Sequence, residues 1–415
     1  MISFNKEITI ASYFFLQKNN NTYKLLTDGH AEYYPLSFEM QPQKKIIEGE
    51  LNFFNNIIYE NYNSTNHIES NQYQTQYEIV TKPSLVIYNC LDNCFGHALL
   101  KLFYFTSIQH TQLLQHDVLL IVPKSLAHFI KPSKGIQLLI INLSYKELEK
   151  CNILNSAFNH LLEFYQFILI LPSSTYKQVS HQQIRQTLQL DNSLIYQKPC
   201  VVFYYRKEKD RSWASLLQHK KVTRLFSVLK PYFNSVDFIL LGDKDKHQFD
   251  NSIIDKRIAS FTKETDFEYN AILKQALITI GVTGSHMLFP SILSKQTIHL
   301  IPTYKLKNLA EDIVFENTDY SMPQYYKHLF YTGNYDLNNL SANDLAVYIL
   351  NHFTGLIEKE YKYNPNNQSQ KEWIAQHYPQ FNYQLFYTQK LQFAIQAYKK
   401  AKWRLLFNKF MYEKN

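Results

Sequence analysis

From Ser84 onward, short runs of apolar residues alternate with helical segments, and this rhythm leaves few folds open to the chain. We predict strands at Leu85–Tyr88, Val118–Val122, Ile136–Ile141 and Phe167–Leu171, with a helix at Phe95–Ile108 after the first of them. Apolar strands separated by helices are typical of βαβ units, in which parallel strands are covered on both faces. This part of the chain therefore predicts an α/β domain.

The same rhythm restarts after the polar segment Pro172–Pro199. The predicted elements there are strands at Val201–Tyr205, Val236–Leu241, Leu277–Val282 and Thr297–Ile301, and helices at Trp213–Leu229, Phe267–Ala276 and Met287–Leu293. A chain of 415 residues is too long for one ordinary core. We therefore expect two Rossmann-like domains facing each other, residues 1–185 and 186–375, with a ligand site in the cleft between them and a C-terminal helical segment over 376–415.

The two ends of the chain differ from the middle in their pattern of apolar residues. Residues 1 to about 80 show short alternating apolar stretches broken by Asn-rich segments, which predict strands and loops. Near the other end, Tyr387–Tyr412 predicts a helix that mixes basic and apolar residues. Its lysines fall on several sides of the helix, so we expect it to pack back on the body of the protein, with contact to a membrane surface as the alternative.

Charge and cysteine content limit the partners and the compartment. The formal net charge of +8 is compatible with nucleotide phosphates, an anionic lipid surface or nucleic acid, but does not choose among them. We do not expect nucleic-acid binding, because no compact basic stripe with interleaved aromatic residues occurs before the last helix. Four cysteines and no recognisable secretory segment indicate a reducing cytoplasm, and no apolar run is long enough to predict a membrane span.

Glycine is scarce, and its positions indicate where a ligand could bind. The chain has 9 glycines, and three of them, Gly96, Gly281 and Gly284, lie in two short clusters. A glycine retained in such a chain predicts backbone with positive φ or backbone close to something bound. Both clusters lie between an apolar run and a predicted helix, which is where α/β proteins place ligand sites.

The first cluster spans Asn89–His97. Backbone amides at a helix start favour an anion, while His97 or Asp92 could accept a proton from a hydroxyl group, and Asn93 is a candidate contact for an acceptor. The alternative for Asp92 and Asn93 is that one of them caps the helix, and a structural role for His97 is also open. Zinc is not expected, because the two cysteines of the cluster and His97 lack a fourth ligand.

Two further clusters could bind phosphate. In Ile278–His286, backbone amides and the hydroxyls of Thr283 and Ser285 could hold a diphosphate at a helix N-terminus, although an ordinary strand-to-helix turn is the alternative. Arg206 and Arg211 follow the predicted strand Val201–Tyr205. Arginines at the carboxyl end of a parallel strand are well placed to bind phosphate. The alternative is that this run of charged residues is simply exposed to solvent.

Taken in order, these motifs resemble glycosyltransferase family 61. The likeness covers roughly residues 84 to 302 and rests on Phe95–His97, the arginines after Val201–Tyr205, Phe267 with Glu268, and Ile280–His286. The resemblance implies two Rossmann-like domains of the GT-B type. It also implies that a sugar is transferred from a nucleotide donor with inversion of configuration and without an essential metal or other cofactor.

The resemblance assigns roles to individual residues. Gly96 and His97 match the family's Gly-His pair at the start of a helix in the first domain, which makes His97 the first choice for the base, with Asp92 as substitute. Arg206 and Arg211 match the paired arginines that follow the first strand of the second domain. These arginines would face the phosphates of the sugar donor.

The family's turn that faces the donor phosphates has a Gly-x-His-Gly-Ala-Gly pattern. It corresponds to the segment that ends in Thr283, Gly284, Ser285 and His286. Thr283 stands where the family has histidine, Ser285 replaces the alanine and His286 replaces the last glycine. The resemblance therefore implies a divergent sugar-donor site at these four residues.

The function implied is an inverting, metal-independent hexosyl-, N-acetylhexosaminyl- or pentosyltransferase. Its partners would be a nucleotide sugar, with UDP expected first, and a glycan or glycolipid hydroxyl. Surface polysaccharide synthesis in the cytoplasm, at the inner face of a membrane, fits these expectations. Two alternatives stay open: a noncatalytic protein of the same fold that binds carbohydrate or nucleotide, and a secreted enzyme that modifies host glycans.

Overall fold

The structure of the protein is a computed structural model. It describes residues 2–3, 8–11, 15–19, 22–27, 36–39, 45–48, 66–67, 72–76, 82–109, 113–131, 133–148, 151–153, 164–165, 167–171, 173, 175, 178–190, 196–208, 212–213, 217–308, 312–316, 327–331, 337–363 and 367–389. The predicted phosphate ligand Arg211 and residues 390–412 of the predicted last helix lie outside these ranges.

The strands, in chain order, are β1 (Ile2–Ser3), β2 (Ile8–Ala11), β3 (Phe15–Asn19), β4 (Thr22–Thr27), β5 (Leu36–Glu39), β6 (Lys45–Glu48), β7 (Asn66–His67), β8 (Tyr73–Gln76), β9 (Ser84–Asn89), β10 (Asp117–Pro123), β11 (Ile136–Ile141), β12 (Cys151–Ile153), β13 (Phe167–Leu171), β14 (Gln178–Val179), β15 (Cys200–Tyr205), β16 (Asp237–Gly242), β17 (Ile254–Asp255), β18 (Ala276–Val282), β19 (Gln296–Leu300), β20 (Phe315–Glu316) and β21 (His328–Tyr331). The helices are α1 (Phe95–Gln109), α2 (Lys124–Ala127), α3 (Tyr145–Leu148), α4 (His181–Thr187), α5 (Gln218–Leu229), α6 (Lys263–Gln275), α7 (Leu288–Leu293), α8 (Ala342–Tyr363) and α9 (Gln370–His377). Short 3₁₀ turns lie at Lys230–Tyr232, Ser285–Met287, Thr303–Asn308 and Leu337–Asn339.

The chain divides into two compact units. The first comprises Met1–Asn192 and the short return segment Ile313–Thr318, and the second comprises Ser193–Asp312 and Asp319–Asn415. Each unit has a six-stranded, largely parallel sheet. The prediction of two Rossmann-like α/β domains is confirmed.

The main sheet of the first unit has the order β1-β13-β9-β10-β11-β8. Its four inner strands are parallel, and the two edge strands β1 and β8 run antiparallel to their neighbours. Every residue of β9 and β10 is buried, as continuous apolar runs require when helices cover a sheet on both faces. The strands predicted here from apolar runs are confirmed.

The N-terminal strands β2 to β7, together with β12, form a second sheet with the order β6-β5-β4-β3-β2-β12-β7. Strands β2 to β6 are antiparallel throughout, each paired with the next along the chain. The prediction of strands before residue 80 is thus confirmed. Strands β2 to β6 form an antiparallel meander.

The sheet of the second unit has the order β17-β16-β15-β18-β19-β21, and all its pairings are parallel. Helices α5 and α8 pack together. Apolar residues of both helices join the sheet in one core, among them Leu225, Leu229, Ile349 and Phe353. Within the described ranges, no helix combines the length and the apolar character needed to cross a bilayer.

The helix predicted from Trp213 to Leu229 begins five residues later, at Gln218. The side chain of Gln218 explains the difference, because its Oε1 accepts a hydrogen bond from the Trp213 amide at 2.9 Å and its Nε2 donates to the Arg206 carbonyl at 2.8 Å. Trp213 is fully buried next to Phe203, at 6.0 Å between ring centroids. The indole thus packs in the core before the helix starts, and the predicted start was wrong.

A short helix lies within the polar segment Pro172–Pro199, where none was predicted. Ser180 caps α4 by accepting from the Gln183 amide at 3.2 Å. Glu316 of the return segment also reaches this helix start, where its carboxylate accepts from the His181 amide at 3.0 Å and pairs with the imidazole Nδ1 at 3.2 Å. Together with the parallel pairing of β14 and β20, these contacts fasten the return segment to the first unit.

Candidate functional site

In the first unit, a polar turn follows β9 at its carboxyl end. Asn89, the last residue of the strand, accepts a hydrogen bond from the Leu91 amide at 3.0 Å, and Asp92 Oδ1 accepts from the Cys94 amide at 3.1 Å. Such side-chain to backbone bonds two residues ahead are typical of Asx turns. They turn the chain from the strand into α1 and fix the loop in which the predicted site residues lie.

Asp92 is fully buried and forms an ion pair with Lys101 from the second turn of α1. Lys101 Nζ lies 2.9 Å from Asp92 Oδ2 and also donates to the Leu91 carbonyl at 2.7 Å. Both side chains have no exposed surface. Because an unpaired buried charge is very costly, each ion needs the other in this position.

The pKa of Asp92 reflects two opposing effects. Burial acts to raise the pKa of this carboxyl group, but the charge of Lys101 and the hydrogen bonds from His97 and Lys101 outweigh it and lower the pKa below its usual range. Asp92 is therefore a carboxylate over the whole physiological pH range. With no exposed surface, it acts on its surroundings through His97 and Lys101.

His97 contacts the same carboxylate from the first turn of α1. Its Nδ1 lies 3.3 Å from Asp92 Oδ1, and about a third of its side chain is exposed. An imidazole that donates from Nδ1 to a carboxylate carries its lone pair on Nε2 when it is neutral. A neutral His97 with its proton on Nδ1, the nitrogen next to Asp92, would have the tautomer that a general base needs.

The remaining predicted residues of this loop differ in exposure. Asn93 and Cys94 are exposed, whereas Cys90 is buried and its pKa is raised, chiefly by burial. A thiol in that position stays protonated. Among the described residues, no group of three or more His, Cys, Asp or Glu side chains could hold a metal ion.

In the second unit, Arg206 follows β15 and is held by Asp243, which follows the neighbouring strand β16. Arg206 Nε donates to Asp243 Oδ2 at 2.9 Å, and the same oxygen accepts from the Lys207 amide at 3.2 Å. The Arg206 side chain is 16% exposed, and its Nη2 also lies 3.5 Å from Glu208 Oε2 at the surface. With Nε held by Asp243, only Nη1 lies on the edge of the planar guanidinium away from the Nε–H group.

His286 comes next to this guanidinium from the turn after β18. Arg206 Nη1 lies 3.4 Å from His286 Nδ1, and the His286 ring packs against the Tyr204 ring with centroids 4.8 Å apart. Because an arginine only donates, Nδ1 is the accepting nitrogen and the ring proton is on Nε2. The structure thus brings two predicted sugar-donor ligands, Arg206 and His286, into contact.

The other residues of the predicted phosphate turn are mostly buried. The Thr283 hydroxyl donates to Asp312 Oδ2 at 2.5 Å, and the Thr283 amide donates to the Leu300 carbonyl at 2.9 Å. Gly284 is buried with φ 163°, which is extended backbone that any residue adopts, and Ser285 is half-buried. Of the two alternatives predicted for Gly284, left-handed backbone is therefore wrong, and backbone close to a bound group stays a prediction.

Positive φ falls instead on Gly242, at the carboxyl end of β16. Its φ is 102°, and a Cβ at this position would lie 2.1 Å from the Tyr205 carbonyl oxygen. Gly281 keeps ordinary backbone, but a Cβ there would lie 2.6 Å from Met287 Sδ. Both glycines allow a close approach at the sheet edge that carries Arg206 and His286.

A buried cation stabilises the segment after Asp243. The Arg257 side chain has no exposed surface, and its guanidinium lies between the Tyr205 and Phe249 rings, 4.7 Å and 4.6 Å from their centroids. It donates to Asp245 Oδ1 at 2.7 Å and pairs through Nε with Asp255 at 2.9 Å. Such stacking with paired carboxylates makes this segment rigid next to the candidate site.

Three residues of these clusters were not identified from the sequence. Lys101 has a visible signal, since it is a lone lysine in the apolar helix stretch from Ala98 to Phe105. Asp243 also has one, because it directly follows an apolar strand and a glycine. Asp312 has no such signal in its surroundings.

The sequence has no match among protein-family models or among curated proteins. Solved structures give weak likenesses. E. coli heptosyltransferase WaaC with ADP shows 11% identity and a TM-score of 0.41, over 65% of this chain and 99% of that one. E. coli ADP-heptose lps heptosyltransferase II shows 10% identity and a TM-score of 0.37, over 66% of this chain and 99% of that one.

The pneumococcal O-GlcNAc transferase GtfA in complex with UDP and GlcNAc shows 12% identity and a TM-score of 0.24, over 91% of this chain and 69% of that one. These scores are too low to carry an activity from those proteins to this chain. The resemblance to glycosyltransferase family 61 stays a prediction.

Proposed function

We propose that this protein is a glycosyltransferase that moves a sugar from a nucleotide-diphosphate donor to a glycan hydroxyl with inversion of configuration. The observation that carries the proposal is the contact between Arg206 and His286, at 3.4 Å, at the carboxyl ends of two adjacent parallel strands. Ligands of open α/β sheets bind outside this edge. A guanidinium held in one orientation at this edge is suited to the phosphates of a nucleoside diphosphate.

Arg206 and His286 would act on the leaving group. As the bond between the sugar and the diphosphate breaks, negative charge grows on the phosphate oxygens. Arg206, with Arg211 and the backbone from Gly284 to His286, would stabilise that charge without a metal ion. Asp243 supports this role, since it holds Arg206 in one orientation before the sugar donor binds.

His97 would act on the acceptor. The acceptor hydroxyl attacks the anomeric carbon from the side opposite the diphosphate, and His97 Nε2 takes the proton of that hydroxyl. Asp92 Oδ1 lies 3.3 Å from His97 Nδ1 and would stabilise the imidazolium that forms. Asp92 is therefore assigned as the positioning partner of His97, and the exposed Asn93 as a contact for the acceptor.

The finer assignments belong to the same proposal. We take UDP as the first nucleotide to test, surface polysaccharide synthesis as the process, and the inner face of a membrane as the place. A noncatalytic protein that binds a nucleotide sugar is the second candidate. The hydrogen bond from Thr283 to Asp312 favours this second candidate, because the Thr283 hydroxyl already donates its proton within the protein and does not donate it to a phosphate.

A screen of nucleotide sugars tests the proposal. Thermal stabilisation identifies the sugar donor, calorimetry gives its affinity, and NMR of the product with a glycan acceptor shows the anomeric configuration, with and without EDTA. We expect His97→Gln to abolish transfer and keep sugar-donor binding, and Arg206→Ala to weaken binding. Arg224→Ala is the matched control, because the Arg224 guanidinium donates to Asn343 Oδ1 at 3.1 Å on the surface of the second unit.

Each outcome separates the candidates. Transfer at a normal rate in both His97→Gln and Arg206→Ala would exclude the catalytic assignment. Tight binding of a nucleotide sugar with no product on any acceptor would favour the noncatalytic candidate. A retained anomeric configuration, or activity lost with EDTA, would contradict the mechanism proposed here.

A further inference from the structure

A fully buried lysine lies behind the candidate base. Lys101 is four residues after His97 on α1, and it reaches Asp92 Oδ2 at 2.9 Å, on the side of the carboxylate away from the His97 contact at Oδ1. Its second bond, to the Leu91 carbonyl at 2.7 Å, holds it in this position. The three side chains thus form a row with Asp92 in the middle.

We infer that Lys101 sets the protonation state of His97 by neutralising Asp92. A buried carboxylate alone would draw a proton onto the neighbouring imidazole and keep it there, because burial strengthens the attraction between the two charges. With Lys101 as the fixed counterion, the carboxylate still lies 3.3 Å from Nδ1, but its net pull on a proton is reduced. The inference rests on the proposed role of His97 as a base and adds Lys101 as a positioning residue.

The charges that act on the buried Asp92 include Lys101 and His97, and the effect of Lys101 is the larger of the two. Lys101 also acts on the buried Cys90 thiol. Helix α4 packs against α1 and carries His181, whose ring nitrogens are engaged by Glu316 at 3.2 Å and by the Val314 carbonyl at 2.8 Å. Lys101 is therefore the counterion whose removal changes the balance at His97.

Satisfying the Leu91 carbonyl alone would not require a lysine in this position. Desolvating an ammonium group costs several kcal/mol, and a polar neutral side chain could satisfy that carbonyl at less cost. The charge of Lys101 is needed to balance the buried charge of Asp92. Its effect on His97 has an electrostatic readout that core packing alone does not move.

The test is the titration of His97, followed by NMR of histidine-labelled protein without substrate. The His97 signal is the one missing from His97→Gln. We expect Lys101→Met to move the titration midpoint up by about one pH unit or more, and Asp92→Asn, which keeps the oxygen that binds the Cys94 amide, to move it down. Lys101→Arg keeps the charge and should stay near the wild type.

The double variant Asp92→Asn/Lys101→Met removes both charges and should return the midpoint close to the wild-type value. If Lys101→Met does not fold, the titration midpoints of Asp92→Asn and of the double variant still test the inference. A midpoint that stays in place in folded Asp92→Asn and Lys101→Met overturns the inference. Since no substrate is present, this result is independent of whether the protein transfers a sugar.

Where transfer is detected, the pH profile gives a second readout. The acid limb of the rate should move to higher pH in Lys101→Met by about the same interval as the NMR midpoint, with the rate recovered at alkaline pH. A rate that falls equally at every pH would show loss of structure and contradict the electrostatic role.

Discussion

Thr283 Oγ1 donates a hydrogen bond of 2.5 Å to Asp312 Oδ2, so the threonine of the turn after β18 is tied to the last residue before the chain leaves the second unit. Thr283 is 3% exposed. Its hydroxyl therefore supports the shape of the turn, and in the function proposed above the neighbouring residues contact the phosphates.

Thr283→Val tests this division of roles. Valine keeps the shape of the side chain and removes a hydrogen bond to a charged group, which should lower the free energy of unfolding by about 1.5–3 kcal/mol. The affinity for the sugar donor should fall less than in Arg206→Ala. Urea unfolding and calorimetry measure the two effects.

Thr223→Val is the control, because the Thr223 hydroxyl donates only to a carbonyl of its own helix, at 2.9 Å. It should change stability by less than about 0.5 kcal/mol. A loss of affinity in Thr283→Val as large as in Arg206→Ala would mean that the hydroxyl binds the ligand directly.

Asp243→Asn tests whether the orientation of Arg206 matters. Asparagine fits the space but weakens the charge-assisted bond to Nε, so Arg206 loses part of its fixation and the dissociation constant of the sugar donor should rise about tenfold. Arg206→Lys should have an equal or larger effect, since an ammonium cannot bind Asp243 and a phosphate as a fork. Unchanged affinity in both variants would remove Arg206 from the binding site.

Gly242→Ala should destabilise the protein strongly, because its φ of 102° disfavours a side chain and the new Cβ would lie 2.1 Å from the Tyr205 carbonyl oxygen. We expect a loss of at least about 1–3 kcal/mol in the free energy of unfolding. Gly281→Ala is the matched control, since its Cβ would meet the flexible Met287 thioether at 2.6 Å. Equal losses in the two variants would show that strain in the backbone is not the cause.

The buried His299 predicts how stability depends on pH. Burial lowers the pKa of His299 to about 3 in the folded protein, while the unfolded chain has the ordinary value of 6.5. Between these values the unfolded state binds one more proton, so stability is present above pH 6.5 and is lost as the pH falls towards 3. Because of this ring, the free energy of unfolding should fall by about 2 kcal/mol between pH 7 and pH 5.

Denaturant unfolding at pH 7 and pH 5 measures this loss. His299→Gln removes the titrating group and keeps a partner for the Thr297 hydroxyl, which lies 3.1 Å from His299 Nε2. The variant should lose less stability over this interval than the wild type. The same loss in both proteins would show that other groups dominate the acid dependence.

The apolar strands were predictable because parallel strands covered on both faces have to be continuous runs of buried residues. Strands β9, β10 and β15 are buried at every residue, and β18 at every residue except Leu277. Helix α8 was missed, although Leu345, Ile349 and Phe353 recur at helical spacing and all three are fully buried. Its signal is weaker because polar residues interrupt the apolar positions.

The side-chain contacts of the candidate site could be predicted only in part from the sequence. The placement of Arg206 and His286 at strand ends follows from the local pattern, whereas their contact depends on β15 and β18 being neighbours in the sheet. The bond from Arg206 to Asp243 spans 37 residues and depends in the same way on β16. Strand order is a property of the whole domain, so no local spacing encodes these contacts.

The return segment has a consequence for dissecting the protein. A fragment that stops at Asn192 would lack β20, so β14 would lose its strand partner and the buried His181 ring would lose both Glu316 and the Val314 carbonyl. The first half of the polypeptide is therefore not an autonomous piece, and separate production of the two halves would require a circularly rearranged or co-expressed chain that supplies residues 313–318.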